Sequence, residues 1–94
     1  MDGGKMAIEI TKHFRKRFIQ RIANTKRINE ITEQAIENGT CTSEIKSTIL
    51  RKELTDKEKQ SYATAKLYKN NVFWFSENKA ITVYPLSQKY HGKV

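Results

Sequence analysis

The sequence is poor in the residues that define several common classes of protein. It has one cysteine, Cys41, which excludes an internal disulfide and is typical of a reducing compartment. Its two histidines lie far apart and, with a single cysteine, give no spacing typical of a metal site, so we expect neither a metal nor another cofactor. The four glycines form no phosphate-binding loop, because Gly3 and Gly4 are terminal and Gly39 and Gly92 are isolated.

Long apolar runs are also missing. No stretch of about 18 apolar residues is present, so we expect no membrane span and no membrane partner. Residues 1–8 lack the apolar core of a signal peptide and are expected to be a flexible leader of a cytoplasmic protein. The 94 residues suffice for a single domain, and nine aromatic side chains favour a compact fold over disorder.

Positive charge is what the chain has in excess. The formal net charge is +8, with +6 on residues 1–28 (eight basic, two acidic) and −2 on residues 29–60 (five basic, seven acidic). The remainder carries +4, from five lysines and one glutamate. Basic ends around an acidic middle are typical of a protein with a polyanionic partner, most often nucleic acid. The alternative is a basic protein with no such partner.

The most basic segment, residues 11–22, predicts a helix with two functional stripes. It holds five basic residues and no acid. At 100° per residue, the apolar stripe consists of Phe14, Phe18 and Ile22, and the stripe beside it consists of His13, Arg17 and Arg21. This arrangement is suited to binding a phosphodiester at the edge of a core, and Lys12, Arg15 and Lys16 add further cations for nucleic-acid binding.

His13 is the candidate acid or base, because only histidine titrates near neutral pH without a special environment. The cations around it favour the neutral ring in the free protein, and a neutral ring suits a general base. The alternative is a helical histidine that makes a local hydrogen bond.

A second helix is predicted over residues 26–38. Asn24 or Thr25 would cap its start, and Gly39 would end it in the left-handed conformation. Residues 40–60 are predicted to be a variable or mobile segment. A helix beginning near Ser43 and a short strand are both open for its first half, and residues 51–60 are expected to be mobile or partly helical.

The last third of the chain predicts strands. Alternating or β-branched runs at 62–69, 72–76 and 80–84 are separated by turn signals at Asn70–Asn71 and Glu77–Asn78. Residues 86–94 are expected to be a flexible tail. The predicted fold class is therefore α+β, with two N-terminal helices packed on one face of an antiparallel β-meander of three to four strands.

Strand parity predicts which residues share a face. If both turns are two-residue loops, the face that receives the helices consists of Ala65, Leu67, Val72, Trp74, Ile81 and Val83. The opposite face would consist of Thr64, Lys66, Tyr68, Phe73, Phe75, Thr82 and Tyr84. Aromatic side chains on such a face can stack bases while a lysine contacts the backbone. The alternative is that Phe73 and Phe75 form a secondary core under residues 40–60.

Three segments together resemble a known superfamily. They are the opening residues 10–18, the helix end at 35–39 and the closing strands at 65–76 and 80–84. The chain in these segments is similar to the RelE/barnase–EndoU–colicin-like proteins, small metal-independent ribonucleases found as bacterial toxins and as phage-encoded relatives. The resemblance implies two helices on an antiparallel sheet, and RNA cleavage by attack of the ribose 2′-hydroxyl on the adjacent phosphate.

The resemblance also implies roles for particular residues. The helical His-plus-Arg pattern corresponds to His13, to Arg15 or Arg17, and to Arg21, and the hydroxyl of the last strand corresponds to Thr82, with Tyr84 beside it. The general acid has no clear counterpart: His91 lies in the predicted tail, and Lys66 or Tyr68 are the other candidates. A lost active site is the alternative.

Two functions of different classes follow. The first is a toxin-type or phage-type endoribonuclease whose target is a tRNA, an mRNA or an rRNA, and whose partner would be an antitoxin. In it His13 is the base, Arg17 and Arg21 hold the phosphate, and Thr82 and Tyr84 position the substrate. The second is a non-catalytic nucleic-acid-binding protein, or a phage or mobile-element protein that inhibits a host protein through its basic face.

Overall fold

A computed structural model describes residues 8–22 and 27–91 of the chain, and the structural statements below concern these residues. The strands are β1 (Glu9–Ile10), β2 (Thr40–Cys41), β3 (Thr64–Tyr68), β4 (Asn71–Ser76) and β5 (Lys79–Pro85). The helices are α1 (Lys12–Arg21), α2 (Ile28–Asn38) and α3 (Thr48–Ser61), with 3₁₀ turns at Thr42–Glu44 and Gln88–Tyr90.

The strands form one mixed sheet in the order β1-β5-β4-β3-β2. β1 runs parallel to β5, and the other neighbours are antiparallel. The α+β class is therefore confirmed. The finer prediction is corrected, since the described residues contain three helices instead of two, and five strands of mixed direction instead of three or four antiparallel ones.

The turns of the meander are two-residue loops, as the parity argument required. The first turn consists of Lys69 and Asn70, one residue earlier than predicted, and both have positive φ. This conformation is typical of a type I′ hairpin turn, whose twist matches the strands on either side. The second turn lies at the predicted Glu77–Asn78, and the residues that flank it, Ser76 and Lys79, are paired.

A β-bulge at Ile81 reverses the predicted faces of the second half of β5. Phe75 lies opposite Ala80, but Trp74 lies opposite Thr82, which leaves Ile81 as an extra residue. Because side chains alternate along a strand, one extra residue moves every later side chain to the other face. Thr82 and Tyr84 therefore share a face with Trp74, and Val83 shares a face with Phe73.

The sheet is covered on both faces, by different helices. Phe14 and Phe18 of α1 are fully buried, and the Phe14 ring lies 6.2 Å from the Phe73 ring between centroids. The first core consists of Phe14, Phe18, Ile28, Ala35, Phe73, Phe75, Ala80 and Val83. The two N-terminal helices thus cover the face of Phe73 and Phe75, which corrects the prediction that they cover the face of Trp74.

The opposite face is covered by α3, in the segment that was expected to be mobile. Leu50 and Leu54 are buried against the sheet, and the Ser47 hydroxyl caps the helix by accepting a hydrogen bond from the amide of Leu50 at 3.4 Å. The second core consists of Ile45, Leu50, Leu54, Ala63, Ala65, Leu67, Val72, Trp74, Leu86 and Tyr90. The buried side of α3 consists of Leu50 and Leu54, and the remaining surface of the helix is mainly polar and faces solvent.

The expected flexible ends are only partly within the described residues. Leu86 and Tyr90 are buried in the second core, so residues 86–91 pack against the fold, which corrects the prediction of a tail beginning at residue 86. Ile8 is half-buried against the first core. Residues 1–7 and 92–94 lie outside the described residues, as do the two predicted cap residues Asn24 and Thr25.

Gly39 ends α2 as predicted, but for a different reason. Its φ is −67°, so the backbone is extended and not left-handed. A Cβ at this position would clash with the carbonyl oxygen of Ala35, which accepts a hydrogen bond from the Gly39 amide at 2.9 Å. Close approach of the backbone is therefore what requires glycine here.

No helix in the part of the chain that the structure describes is long and apolar enough to cross a membrane.

Candidate functional site

A small cavity of about 260 Å³ lies where α1 passes the second half of β5. The side chains that line it are His13, Arg17, Arg21, Thr82, Val83 and Tyr84. Five of these six are the residues that the sequence predicts as the catalytic set. They come from two segments about 60 to 70 residues apart in the chain, and the fold brings them around one space.

The rotation of α1 on the sheet determines what faces the cavity. Phe14 and Phe18 are four residues apart and fully buried, so one side of the helix is fixed against the sheet. His13, Arg17 and Arg21 lie on the adjacent stripe, where Arg17 is half-buried and the other two are exposed. Successive members of this stripe are about 6 Å apart along the helix axis.

Thr11 connects the start of α1 to β5. Its hydroxyl donates a hydrogen bond to the carbonyl oxygen of Ala80 at 2.8 Å and accepts one from the amide of Phe14 at 3.1 Å. The same oxygen is thus both the N-cap of the helix and a link to the residue just before the bulge. His13 follows two residues later on α1, and Thr82 follows Ala80 by two residues on β5, so this contact sets the spacing of the two walls.

Thr82 and Tyr84 line the cavity at the free edge of β5. The bulge at Ile81 sets the direction of their side chains. β1 pairs only with Lys79 and Ala80, so beyond Ala80 no strand of the described residues pairs with this side of β5. Tyr84 is held in place by Trp74, whose indole Nε1 donates a hydrogen bond to the phenol oxygen at 3.1 Å. Since the phenol is the acceptor in this bond, its own proton remains available for a ligand.

The cavity is positively charged. Arg17 contacts the side chain of Gln20 at 3.5 Å, and no carboxylate among the residues that the structure describes pairs with Arg17 or Arg21. Unpaired guanidiniums at a concave surface are the usual means of binding phosphate or carboxylate. The cavity is therefore suited to an anion.

An ion pair of the described residues lies outside the cavity, at the start of α2. Arg27 donates to the carboxylate of Glu30 at 3.0 Å, and this hydrogen bond lowers the pKa of Glu30 and raises the pKa of Arg27. Both side chains are exposed, so the pair contributes little to stability.

Lys66 and Tyr68 do not line the cavity. The Lys66 amine contacts the sulfur of Cys41 at 3.0 Å, and the Tyr68 hydroxyl donates to the side-chain oxygen of Gln34 at 2.8 Å. Both lie on β3, which β4 separates from β5, and their polar atoms contact Cys41 and Gln34. They are therefore not positioned as general acids for this cavity, which corrects that part of the prediction.

The other predicted cations surround α1 without entering the cavity. Lys12, Arg15 and Lys16 are exposed on the helix surface and do not line the space. His91 also lies outside it, with its ring Nε2 at 2.9 Å from the carbonyl oxygen of Leu86. Within residues 8–22 and 27–91, no cluster of three or more histidine, cysteine or acidic side chains is arranged to hold a metal ion.

Sequence reasoning missed two features of the site. One is Thr11, whose signal was its place as a capping residue just before the basic helix. The other is a second groove that shares Thr82 and Tyr84 with the cavity and is lined on its far side by Lys57 and Gln60 of α3. No sequence signal identified it, because the part of α3 that borders the groove lies in residues 51–60, which were expected to be mobile or partly helical.

Comparison of the chain with protein-family models, with curated proteins and with solved structures gives no significant match.

Proposed function

We propose that this protein is a metal-independent endoribonuclease that cleaves RNA by attack of a ribose 2′-hydroxyl on the adjacent phosphate. The observation that carries the proposal is the cavity between α1 and β5, around which one imidazole, two guanidiniums and two hydroxyl groups converge. These groups suffice for a base, an anion-binding pair and hydrogen-bond donors, which are the requirements of the reaction.

In the proposed reaction, neutral His13 accepts the proton of the 2′-hydroxyl. The 2′-oxygen then bonds to phosphorus, and the bond from phosphorus to the 5′-oxygen breaks. Arg17 and Arg21 bind the non-bridging oxygens and stabilise the negative charge that develops on them. The products are a fragment with a 2′,3′-cyclic phosphate and a fragment with a 5′-hydroxyl.

Tyr84 is the proposed proton donor to the leaving 5′-oxygen. Trp74 occupies an acceptor position on the phenol oxygen, which leaves the phenol free to donate outward. The proton that His13 removed returns to the phenolate through water, so the enzyme ends in its starting state. The Thr82 hydroxyl donates a hydrogen bond to the phosphate and positions it.

The proposed partner is RNA in the cytoplasm, with a cognate antitoxin or a host protein as a second partner. The exposed side chains of Lys12, Arg15 and Lys16 are proposed to contact phosphates that flank the cleaved bond. An antitoxin would need to cover the cations of the same cavity.

The test is cleavage of total RNA in the presence of EDTA, with wild type, His13→Ala and His91→Ala compared at equal concentration. Each variant removes one of the two histidines, and His91 lies outside the cavity. The proposal expects discrete cleavage by wild type and His91→Ala, and a rate at least about a hundredfold lower for His13→Ala. Equal cleavage by all three proteins would contradict it.

A non-catalytic nucleic-acid-binding protein is the second candidate, and one observation favours it. Among the described residues, the His13 ring has no hydrogen-bond partner that would fix its orientation. A base is normally oriented by a third group. Intact RNA together with salt-sensitive retardation of the RNA in a gel would support this candidate over the ribonuclease.

A further inference from the structure

A second groove of about 380 Å³ lies on the α3 side of β5. The sheet contributes Trp74, Ile81, Thr82 and Tyr84 to its lining, and α3 contributes Lys57, Gln60 and Ser61. Its lining is mostly apolar, in contrast to the more polar cavity beside α1. Its size lies within the range of small-molecule sites in proteins, about 300–1,000 Å³.

The groove and the cavity beside α1 lie next to each other along the second half of β5. Thr82 and Tyr84 line both of them, so the second half of β5 is a shared wall with a cationic space on one side and an aromatic space on the other. The bulge at Ile81 produces this arrangement, because it turns Thr82 and Tyr84 to the face of Trp74 while their strand still borders α1. A ligand whose anionic group lies between Arg17 and Arg21 can therefore extend past Tyr84 into the groove.

The chemistry of the groove matches a nucleobase. The half-buried phenol of Tyr84 can stack a base, with the buried Trp74 indole hydrogen-bonded behind it. Base stacking on aromatic side chains is the usual mode of recognition for single-stranded RNA. The amide of Gln60 can form two hydrogen bonds with a base edge, as glutamine does with adenine. Lys57, one helical turn before Gln60 on the exposed side of α3, can contact the next phosphate.

We propose that the groove is a nucleobase subsite of the RNA-binding site. The base beside the phosphate held by Arg17 and Arg21 stacks on Tyr84, next to the indole of Trp74, and Gln60 hydrogen-bonds to the base edge. The subsite rests on the proposed ribonuclease function. It adds to that function a preference for the nucleotide next to the cleaved bond.

Trp74 provides a direct test, because it is the only tryptophan in the chain. Its fluorescence is measured while 2′-O-methyl hexamers of A, C, G or U are added to the full-length protein. These oligomers lack the attacking hydroxyl and cannot be cleaved. An abasic oligomer of the same length is the control, and fluorescence anisotropy of labelled oligomers measures binding separately. The proposal expects quenching by at least one base-containing oligomer and none by the abasic oligomer when both are bound.

Variants of α3 test the role of the polar groups. Gln60→Ala is expected to reduce the preference among the four hexamers by about tenfold, while Gln88→Ala, outside the groove, leaves it unchanged. Lys57→Gln is expected to lower the slope of log K against log salt concentration by about 0.7, the value for one phosphate contact. Lys52→Gln, which lies outside the groove, is expected to leave the slope unchanged.

The outcomes separate the two proposals. If the oligomers bind but Trp74 is not quenched and Gln60→Ala keeps the wild-type preference, the subsite is wrong and the RNA-binding function stands. If no oligomer binds at all, both proposals fall. If a protein partner quenches Trp74 and RNA does not, the groove is a protein-binding surface and the subsite is overturned.

Discussion

Replacing Arg17 and Arg21 together by glutamine should remove two phosphate contacts while keeping the apolar stems of the side chains. For single-stranded nucleic acid, each phosphate contact contributes about 0.7 to the slope of log K against log salt concentration. If each guanidinium in the cavity contacts one phosphate, the slope should decrease in magnitude by about 1.4. Over a fourfold increase in salt, the wild type should then lose about sevenfold more affinity than the double variant.

The assay is fluorescence anisotropy of a labelled 2′-O-methyl oligomer across a series of salt concentrations. The matched control is Lys46→Gln with Lys52→Gln, which removes the same charge from exposed positions outside the cavity. If the slope of log K against log salt concentration falls equally in both double variants, binding depends on the net charge of the protein and not on the cavity. An unchanged slope in the Arg17 and Arg21 variant would refute the assignment of the cavity as the phosphate site.

Three further predictions concern the fold that supports the site. Thr11→Val should lower the free energy of unfolding by about 1 kcal/mol through loss of the helix cap, as measured by chemical denaturation. It should also lower the cleavage rate of the folded protein, because the hydroxyl's hydrogen bond to Ala80 is lost and only the weaker backbone bond at 3.4 Å remains; an unchanged rate would count against the positioning role. Phe18→Ala should cost about 3–5 kcal/mol because Phe18 is fully buried, whereas Ile19→Ala, with 43% of the side chain exposed, should cost much less; similar costs would contradict the assigned core. Gly39→Ala should cost about 1–3 kcal/mol because its Cβ would clash with the Ala35 carbonyl, and a melting temperature equal to that of wild type would contradict this.

The part of the site on α1 could be predicted from sequence, because the apolar pattern of this helix is compatible with only one orientation on the sheet. Phe14 and Phe18 are the only large apolar residues of the first two turns of α1, so only one rotation of the helix buries them. That rotation fixes the direction of Arg17 and Arg21. Thr11 is the cap in the structure, and the predicted helix began at this residue.

The sequence did not predict which face of the sheet the side chains of β5 occupy beyond Ala80. The parity rule holds for β3 with β4 and for the residues next to the second turn. It fails at Ile81, because a bulge has no sequence requirement that this strand would reveal. Both faces of β4 are buried, so the hydrophobic pattern does not distinguish the two registers.

The covering role of α3 was only partly predicted, since a helix beginning near Ser43 was one of two alternatives and residues 51–60 were expected to be mobile or partly helical. Between residues 51 and 60, Leu54 is the only apolar residue, and this composition is typical of a solvated segment. In the structure, Leu50 and Leu54 suffice because they are one helical turn apart and lie against Val72 and Trp74 in the second core. The groove between α3 and β5 follows from this packing, so it could be identified only after the fold was known.

The chemistry of the cleaved ends distinguishes attack by the ribose 2′-hydroxyl from hydrolysis by water. RNA cleaved by the wild-type protein in EDTA is analysed by mass spectrometry, beside RNA treated with His13→Ala and beside the same RNA with a 2′-deoxy nucleotide at the cleaved position. Attack by the 2′-hydroxyl predicts a 2′,3′-cyclic phosphate on one fragment and a 5′-hydroxyl on the other. It also predicts no product from the 2′-deoxy substrate and at least about a hundredfold less product with His13→Ala. Fragments with 3′-hydroxyl and 5′-phosphate ends, or cleavage of the 2′-deoxy substrate, would contradict it.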